Sequence, residues 1–249
     1  MPINKVLLKA EKIKKSFGSL YTLADVSITL EENRFVSIIG PSGCGKSTLF
    51  DIIAGLERPD FGSVTIDDKD FTGKTSRVSY MHQKDLLFPW YSIIKNVSLP
   101  LLVKGRSSKE ARETAMPYFK TFGLDGFENK YPVQLSGGMR QRAALLRTFL
   151  FADDIMLLDE PFGSLDAITR HKMQMWLLEM LEKIKASILF ITHDIDEAVF
   201  LSDKIYLLSK RPAEVKKVFD VALPRPRDNK TFISPEFIKL KEEIMNFLD

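Results

Sequence analysis

The sequence predicts an α/β fold: a mostly parallel sheet around a phosphate-binding loop, with an N-terminal antiparallel β region and an inserted helical subdomain. Three observations predict it. A glycine-rich segment at 40–48 lies between an apolar, strand-like run and a helix-compatible run, which is the context of a phosphate-binding loop. Residues 155–209 alternate short apolar runs with helical patterns, which is typical of parallel strands joined by crossovers. Residues 92–150 carry almost no strand pattern.

The composition is that of an ordinary soluble globular protein, with 45% hydrophobic and 28% charged residues among 249. A net charge of +3 without a long basic run predicts no nucleic-acid partner. The single cysteine, Cys44, excludes an internal disulfide and fits a reducing compartment. No apolar run has the length of a membrane span, and the first nine residues lack the apolar core of a signal peptide. We therefore expect any membrane association to depend on another protein.

The first 39 residues predict strands over Val6–Leu8, Ala24–Leu30 and Phe35–Ile39, separated by turn residues. Phe17 ends a lysine-rich stretch just before a glycine. An aromatic ring at this position is able to stack on a nucleotide base. The alternative, which composition alone favours, is an aromatic of the core or of a turn.

The phosphate-binding loop combines glycines, a lysine and a serine at the start of a helix. The glycines allow a tight turn, and the N–H groups at a helix start favour an anion. Lys46 would add a positive charge for the outer phosphates, and the Ser47 hydroxyl would ligate Mg²⁺. The alternative is a glycine turn with a surface lysine, which the flanking strand and helix disfavour. The predicted phosphate-binding residues are Gly40, Pro41, Ser42, Gly43, Cys44, Gly45, Lys46, Ser47 and Thr48.

Beyond the loop, the elements are predicted from hydrophobic periodicity and turn residues. Up to residue 151 they are a helix over Leu49–Ala54, strands over Ser63–Ile66 and Arg77–Met81, and helices over Ala111–Phe122 and Met139–Phe151. They continue as strand Ile155–Leu158, helix Ala167–Lys185, strand Ser187–Ile191, helix Ile195–Leu201, strand Lys204–Ser209, hairpin strand Val215–Val221, extended segment Leu223–Asp228 and helix Pro235–Leu248.

One helix carries a stripe of methionine, tryptophan and aliphatic side chains at three- and four-residue spacing. We interpret the stripe as core packing rather than as a binding surface. Its members are Met173, Trp176, Leu177, Met180, Leu181 and Ile184.

Two acidic residues, Asp159 and Glu160, follow the apolar strand at 155–158 directly. Parallel strands bring their carboxyl ends to the same edge as the phosphate-binding loop. Asp159 is therefore expected to hold Mg²⁺ through water, completing the ligand set that begins with Ser47. Glu160 would be free to orient and deprotonate an attacking water. The alternative is a pair of solvated acids at the end of a strand.

A second serine- and glycine-containing segment, Leu135–Gln141, opens the helix that starts near Met139. Ser136, Gly137 and Gly138 would form a second site for an anion at a helix N-terminus. The alternative is an ordinary helix cap after a flexible approach, and physical reasoning alone favours that alternative.

Across nearly the whole chain, the sequence resembles the ATP-binding cassette (ABC) ATPases of membrane transporters, which have a P-loop NTPase core. Six motifs in the family's order carry the resemblance. They are Gly40–Thr48 for Walker A, Gln83 for the Q-loop, Leu135–Gln141 for the signature motif, Ile155–Glu160 for Walker B, Ser164–Asp166 for the D-loop and His193 for the switch histidine.

The resemblance implies hydrolysis of ATP with Mg²⁺ as cofactor. Phe17 would stack on adenine, where the family more often has tyrosine. Gln83 would contact Mg²⁺ and the attacking water, and His193 would contact the γ-phosphate. The implied catalytic residues are Glu160, His193, Gln83 and Lys46, and the implied metal ligands are Ser47, Gln83 and Asp159.

The resemblance also implies partners. The signature residues of one copy would close over ATP bound to a second copy, in a head-to-tail dimer with two ATP molecules. The segment Pro161–Arg170, the signature ending and the tail around Leu223–Arg227 are similar to importers of the nitrate, sulfonate and taurine type, a group that includes transporters of thiamine-precursor pyrimidines. Permease subunits, an indirectly coupled solute-binding protein and a peripheral position at the cytoplasmic face of the inner membrane follow from that similarity.

Two other functions stay open at this point. One is a soluble cassette ATPase without a role in transport, although those usually carry two cassettes or long coiled-coil insertions. The other is a small-molecule kinase, which would give the segment Leu135–Gln141 no role. We expect a single ABC ATPase domain, with a core over 1–91 and 151–222, a helical signature subdomain over 92–150 and a tail over 223–249. Leu86–Tyr91 would dock a permease helix, or else pack locally in the core.

Overall fold

The computed structural model describes residues 5–152, 154–184 and 186–248, except for the side chains of 180–184. The strands are β1 Val6–Phe17, β2 Leu20–Glu31, β3 Phe35–Ile39, β4 Phe61–Ile66, β5 Lys69–Asp70, β6 Ser79–Met81, β7 Ile155–Asp159, β8 Ser187–Ile191, β9 Lys204–Leu208 and β10 Ala213–Asp220. The α-helices are α1 Lys46–Ile53, α2 Ile93–Val103, α3 Ser108–Thr121, α4 Gly137–Phe151, α5 Ala167–Ile184, α6 Ile195–Leu201 and α7 Pro235–Leu248. Short 3₁₀ turns cover Pro132–Gln134 and Thr231–Ile233.

The strands form one sheet with the order β5-β4-β1-β2-β10-β9-β3-β8-β7-β6. The half from β9 to β6 is parallel throughout. The half from β5 to β2 is antiparallel. Strand β10 joins the two halves, because it pairs antiparallel with β9 and parallel with β2. The predicted combination of a parallel core and an N-terminal antiparallel region is confirmed.

The central strands are buried on both faces, which explains their continuous apolar sequence. In β3, Phe35 and Ile39 pack in the cluster on the side of the helical insertion. Val36 and Ile38 alternate with them and pack on the opposite side, against α1 and the antiparallel strands. The sheet is thus the middle layer of the protein, and its strand ends are held rigidly from both sides.

Strands β1 and β2 are longer than predicted, since each has 12 residues. Along β1, buried Leu8, Ala10 and Ile13 are followed or separated by exposed charged residues such as Glu11. One face of an antiparallel pair is able to stay in water, so charged residues interrupted the apolar pattern without ending the strand. The extension brings Phe17 to the last position of β1.

The helical insertion places α2 and α4 against each other, with α3 packed on α2. Helix α3 starts with a capping box: the Ser107 hydroxyl accepts a bond from the Glu110 N–H, and the Glu110 carboxylate accepts one from the Ser107 N–H. Helix α2 was predicted only as part of a helical region, and it contains Pro100.

The described part of the methionine and tryptophan stripe of α5 packs in the core, as predicted. Met173 and Leu177 are buried. The Trp176 ring lies 4.2 Å from the Phe122 ring and 5.9 Å from the Phe149 ring, measured between centroids. The predicted positions Met180, Leu181 and Ile184 lie outside the described side chains, and Lys185 lies outside the described residues.

The tail packs against α6 and ends in α7, whose Phe237 and Ile244 are buried. Arg227 is buried and donates hydrogen bonds to the carbonyl oxygens of Val199, Phe200 and Ser202 at the end of α6. The tail therefore caps α6 through one side chain. Among the described helices, none is long and apolar enough to span a membrane.

Candidate functional site

The phosphate-binding loop runs from the end of β3 to the start of α1. Gly45 caps α1 with a φ of 117°, and a Cβ at this position would lie 2.9 Å from side-chain atoms of both Thr22 and Leu23. Gly43 has a φ of 72°. Only glycine meets both demands without strain, so the sequence itself shapes the turn. Helix α1 begins three residues earlier than predicted, at Lys46, so the loop and the helix start are one unit.

Lys46 lies over the inside of the loop. Its side chain is 7% exposed, and its ammonium group donates to the carbonyl oxygens of Gly40 at 2.8 Å and Pro41 at 2.9 Å. Cys44 is buried, with its sulfur 3.9 Å from the same ammonium group. The loop therefore holds a positive charge close to its own backbone, at the position where an anion would enter.

Ser47 and Asp159 meet across the cleft, one from α1 and one from the end of β7. The Ser47 hydroxyl is close enough to the Asp159 carboxylate to affect its pKa. Burial raises the pKa of Asp159 to about 6, against the effect of the Ser47 hydroxyl, which lowers it. A buried carboxylate with a nearby hydroxyl offers hard oxygen ligands, and a cation would remove the cost of its burial.

Glu160 is the point on which two other predicted residues converge. Its carboxylate accepts a hydrogen bond of 3.0 Å from the Gln83 amide and lies 3.4 Å from Nδ1 of His193. The three residues come from the carboxyl ends of β6, β7 and β8, which are neighbours in the sheet. Glu160 itself has a φ of 47°, uncommon for a side-chain-bearing residue, and its N–H is fixed to the carbonyl of Ile191. The sheet topology therefore assembles this cluster from distant parts of the sequence.

The loop and the cluster share one cleft of about 340 Å³. Phe17 and Leu20 lie on its wall, and the Phe17 side chain is 46% exposed. The ammonium group of Lys15 is 5.1 Å from the Phe17 ring centroid. The exposed ring is thus available for a flat ligand in the same cleft as the phosphate-binding loop. The residues that line the cleft are Phe17, Leu20, Thr22, Ser42, Gly43, Gly45, Lys46, Ser47, Thr48, Gln83, Glu160 and Arg211.

The segment Leu135–Gln141 lies elsewhere, because none of its residues is among those that line the cleft. Ser136 caps α4 by accepting a bond of 3.3 Å from the Met139 N–H. Ser136 and Gly137 are exposed. A Cβ on Gly138 would lie 3.1 Å from the Leu165 side chain, so this glycine contacts the turn before α5. The structure therefore does not bring Ser136, Gly137 and Gly138 to the phosphate-binding loop of the same chain.

Two arginines of α4 hold the loop that follows Gln83. Arg140 forms an ion pair of 3.0 Å with the Asp85 carboxylate. Arg147 donates to the backbone carbonyls of Asp85 at 2.7 Å and Leu86 at 2.8 Å. The cluster at Glu160 is in this way connected to the start of α4 through the Gln83 loop.

The profile of the ABC transporter family matches residues 23–163, which is more than half of the chain. The chain belongs to the ABC transporter family. The predicted family resemblance and fold class are confirmed.

Close relatives of this ABC protein span almost its whole length. An uncharacterised ABC transporter ATP-binding protein of Methanocaldococcus jannaschii is 42% identical over 98% of this chain and 92% of its own. The formylaminopyrimidine import ATP-binding protein of Halalkalibacterium halodurans is 45% identical over 84% of this chain and 82% of its own. An aliphatic sulfonates import ATP-binding protein of Bacillus cereus is 38% identical over 98% of this chain and 93% of its own.

Two solved structures of an ABC transporter cassette have the same fold as this chain. A dimeric bacterial ABC transporter cassette matches with a TM-score of 0.80 and 32% identity, over 88% of this chain and all of its own. The same cassette was solved in a post-hydrolysis state bound to ADP and Pi, and that structure matches with a TM-score of 0.78, again at 32% identity over 88% of this chain and all of its own. The chain is an ABC ATPase that binds and hydrolyses ATP, as predicted.

Sequence reasoning missed a buried polar network behind His193. The Glu197 carboxylate accepts bonds from the Thr192 hydroxyl at 2.6 Å and the Gln174 amide at 3.2 Å, and burial raises its pKa. The Arg170 guanidinium lies 3.8 Å from the same carboxylate and donates to the carbonyl of Leu165. The network connects the turn before α5 to the strand that carries His193. A sequence shows these residues only as a polar helix face, so it gave no signal for the network.

Sequence reasoning also missed Arg211, which lines the cleft and donates to the carbonyl of Gly43. It lies in the turn between β9 and β10. The one available signal was indirect: a turn that follows a parallel strand next to β3 opens at the edge where the phosphate-binding loop lies.

Proposed function

We propose that this ABC ATPase powers the import of a small solute, of the nitrate, sulfonate, taurine or thiamine-precursor type, through a membrane permease. The observation that carries its catalytic part is the convergence of Gln83 and His193 on Glu160 beside the phosphate-binding loop. The relatives named as import subunits for formylaminopyrimidine and for aliphatic sulfonates support the direction and the class of solute.

In this proposal, the ATP phosphates occupy the loop 40–48. Phosphate oxygens replace the carbonyls of Gly40 and Pro41 as partners of Lys46, and loop N–H groups bind the same phosphates. Phe17 stacks on the adenine ring at the other end of the cleft. Positioning and charge account for most of the rate of such a phosphoryl transfer to water.

The chemistry of Ser47 and Asp159 fits Mg²⁺. Their oxygen atoms are hard ligands, and the elevated pKa of Asp159 marks a carboxylate whose burial the charge of Lys46 only partly compensates. The described residues contain no group of three or more His, Cys, Asp or Glu side chains suited to hold a metal alone. That fits an ion whose ligands would include phosphate oxygens as well as protein atoms, with Gln83 as a further protein ligand. Bound Mg²⁺ would neutralise negative charge on the phosphates.

Glu160 is the proposed general base. Its carboxylate, which the Gln83 amide and His193 contact, would orient the attacking water and accept its proton. His193 would hold the γ-phosphate, since its exposed ring is free to turn from Glu160 toward a ligand. Gln83 would align the water from the opposite side.

The Glu160→Gln variant tests the proposed reaction. It keeps the shape and removes the base, so kcat for phosphate release is expected to fall about 10²- to 10⁴-fold while the Kd for ATP stays the same. Phosphate release is measured with no acceptor other than water. Glu179→Gln, the same change on the exposed face of α5, is the control. Normal turnover by Glu160→Gln would contradict the assignment.

The proposed closed state is a head-to-tail dimer, with Ser136, Gly137 and Gly138 of one copy against the ATP of the other. These residues support the arrangement because they lie outside the cleft of their own chain, and Ser136 and Gly137 are exposed. The solved relatives are dimeric. Binding the γ-phosphate between two copies would couple ATP binding to dimer closure and hydrolysis to opening.

The permease would dock on two aromatic side chains and a neighbouring leucine. This surface, called the aromatic surface here, consists of Leu86, Phe88 and Trp90. Their side chains are 52%, 37% and 67% exposed, whereas Leu87 between them is buried. Local core packing, the alternative considered from the sequence, therefore applies to Leu87 and not to the aromatic surface. Through the permease, the chain would lie peripherally at the cytoplasmic face of the inner membrane and respond indirectly to a solute-binding protein. Large exposed aromatic side chains are favoured anchors in protein interfaces.

Trp90→Ala tests this surface. The variant is expected to lose transport and to co-purify poorly with permease subunits from solubilised membranes of the source cells, while ATP binding by the free subunit stays normal. Phe61→Ala is the matched control, because Phe61 is 58% exposed on β4 at the opposite end of the sheet. Normal transport by Trp90→Ala would rule out this docking surface.

A further inference from the structure

Arg211 lies next to the phosphate-binding loop because of the sheet order. Strand β9 pairs with β3, which leads into the loop, and β10 pairs with β2 at Leu23. The turn 209–212 joins β9 to β10 at this edge. Leu23 is one of the residues that crowd Gly45, and a Cβ on Gly40 would lie 2.9 Å from the carbonyl oxygen of Leu208. The turn and the loop are therefore in close contact.

The Arg211 guanidinium donates a hydrogen bond from Nη2 to the carbonyl of Gly43 at the crest of the loop. Lys46 holds the carbonyls of Gly40 and Pro41 at the start of the same loop. The two cations thus fix different parts of the loop, and both line the cleft.

The contact also determines which way one loop amide points. The carbonyl of Gly43 and the N–H of Cys44 belong to one planar trans peptide, so they point in opposite directions. With the carbonyl turned to Arg211, the Cys44 N–H turns back into the loop, where it makes a long bond of 3.3 Å to the carbonyl of Pro41. A weak partner of this kind is easily exchanged for a phosphate oxygen.

The positive charge of Arg211 also favours the binding of a phosphate. A guanidinium is always protonated and has five N–H donors, of which the Gly43 carbonyl takes one. The side chain is exposed within the cleft, so its remaining donors are available to a ligand.

We propose that Arg211 is a further nucleotide-binding residue, which orients the crest of the phosphate-binding loop and adds a second positive charge for the polyphosphate of ATP. The inference rests on the proposed use of this cleft for ATP. It assigns Arg211 to the phosphates of ATP and not to the adenine ring.

The proposal is tested by the affinity of the free subunit for two ligands, MgATP and inorganic tripolyphosphate with Mg²⁺. Both affinities are measured at low and high salt by competition with a fluorescent ATP analogue. Arg211→Met is expected to weaken both about tenfold and to flatten their salt dependence, because one charge-assisted contact is lost. Arg211→Lys should recover part of the loss, since lysine keeps the charge without the fork. At saturating ATP, kcat should change little while KM rises.

Lys210→Met is the matched control: it removes the same charge one residue away, outside the residues that line the cleft. It should leave both affinities unchanged. Arg211→Met behaving like Lys210→Met would overturn the proposal. A loss of affinity for MgATP but not for tripolyphosphate would also overturn it, because it would place Arg211 at the adenine base. So would a fall in kcat and in the melting temperature of the nucleotide-free protein that Arg211→Lys does not rescue, because it would make the role of Arg211 structural. Lys46→Ala is measured in parallel: normal ATP affinity in that variant would refute the cleft itself, separately from Arg211.

Discussion

Two loops of this ABC ATPase open a helix with serine and glycine residues, and the structure surrounds them differently. Loop 40–48 receives side chains from the ends of β6, β7 and β8, which bring carboxylates, an amide and an imidazole to its opening. Segment 135–141 turns its serine back onto its own helix and directs Arg140 to the Gln83 loop.

The difference supports the proposed roles, in which loop 40–48 carries the chemistry and segment 135–141 completes the site of a second copy. A site that hydrolyses ATP needs charge and a base within reach of the phosphates, and within the described residues only loop 40–48 has them. Segment 135–141 offers an exposed helix start with backbone donors, which suits an anion delivered by another molecule. In this proposal, one type of local sequence serves two roles, and the long-range contacts decide between them.

The largest expected effects come from disabling each loop separately. Lys46→Ala should abolish ATP hydrolysis by weakening ATP binding, because it removes the cation that faces the phosphates. Ser136→Arg should also abolish hydrolysis, but it should keep ATP binding and lose ATP-driven dimer closure, because a long charged side chain would fill the exposed cap.

Equilibrium ATP binding and size-exclusion chromatography with ATP, both in the hydrolysis-deficient Glu160→Gln background, separate the two outcomes. Val133→Arg, a change of similar size at the 87% exposed Val133 next to the segment, reports the effect of an added charge alone. If Ser136→Arg still dimerised with ATP, the two loops would not form a composite site.

A smaller effect is expected at the buried carboxylate beside loop 40–48. Asp159 has a folded-state pKa of about 6, above its ordinary value, so its contribution to stability is lost as the pH rises from about 4 to about 6. In metal-free protein with chelator, Asp159→Asn should raise the free energy of unfolding at pH 7 by up to about 3 kcal/mol while it abolishes activity.

The gain should disappear near pH 4, where the carboxylate is protonated in wild type as well. Denaturant unfolding at both pH values measures it, and Asp25→Asn is a control at an exposed acid. Equal stability of wild type and Asp159→Asn at pH 7 would show that the carboxylate is not destabilised by burial.

The smallest effect is expected at the connection between the two loops. Arg140→Met removes the ion pair between Arg140 and Asp85. Both side chains are about one-third exposed, so the free energy of unfolding should fall by about 1 kcal/mol or less. The ATPase rate should fall by several-fold while the Kd for ATP is unchanged, because Gln83 would lose a support that acts through Asp85.

Asp85→Asn should reproduce the rate of Arg140→Met, and the double variant should be no slower than either single one. Additive losses of rate in the double variant would show that the two residues act independently and that the loops are not connected through them.

Local patterns in the sequence predicted loop 40–48, the acids after β7 and most elements of the parallel core, since each depends on a few adjacent residues. The approach of Gln83 and His193 to Glu160 depends on the order β8-β7-β6. The resemblance implied roles for these residues, but neither it nor periodicity gave that order. Arg211 and Glu197 depend on the placement of β9 and on buried hydrogen bonds. No local pattern encodes those contacts, so the structure was needed to find them.

A buried amide holds the backbone of the loop that carries the aromatic surface, in addition to the arginine contacts from α4. Asn96 accepts a bond from the Phe88 N–H and donates to the carbonyls of Phe88, Tyr91 and Ser92. The backbone is thus fixed from beneath, independently of the side chains at its tip. In the proposed docking, Phe88 and Trp90 could be exchanged to suit a different permease without rebuilding the loop, which would make this surface an exchangeable recognition element on an unchanged ATPase.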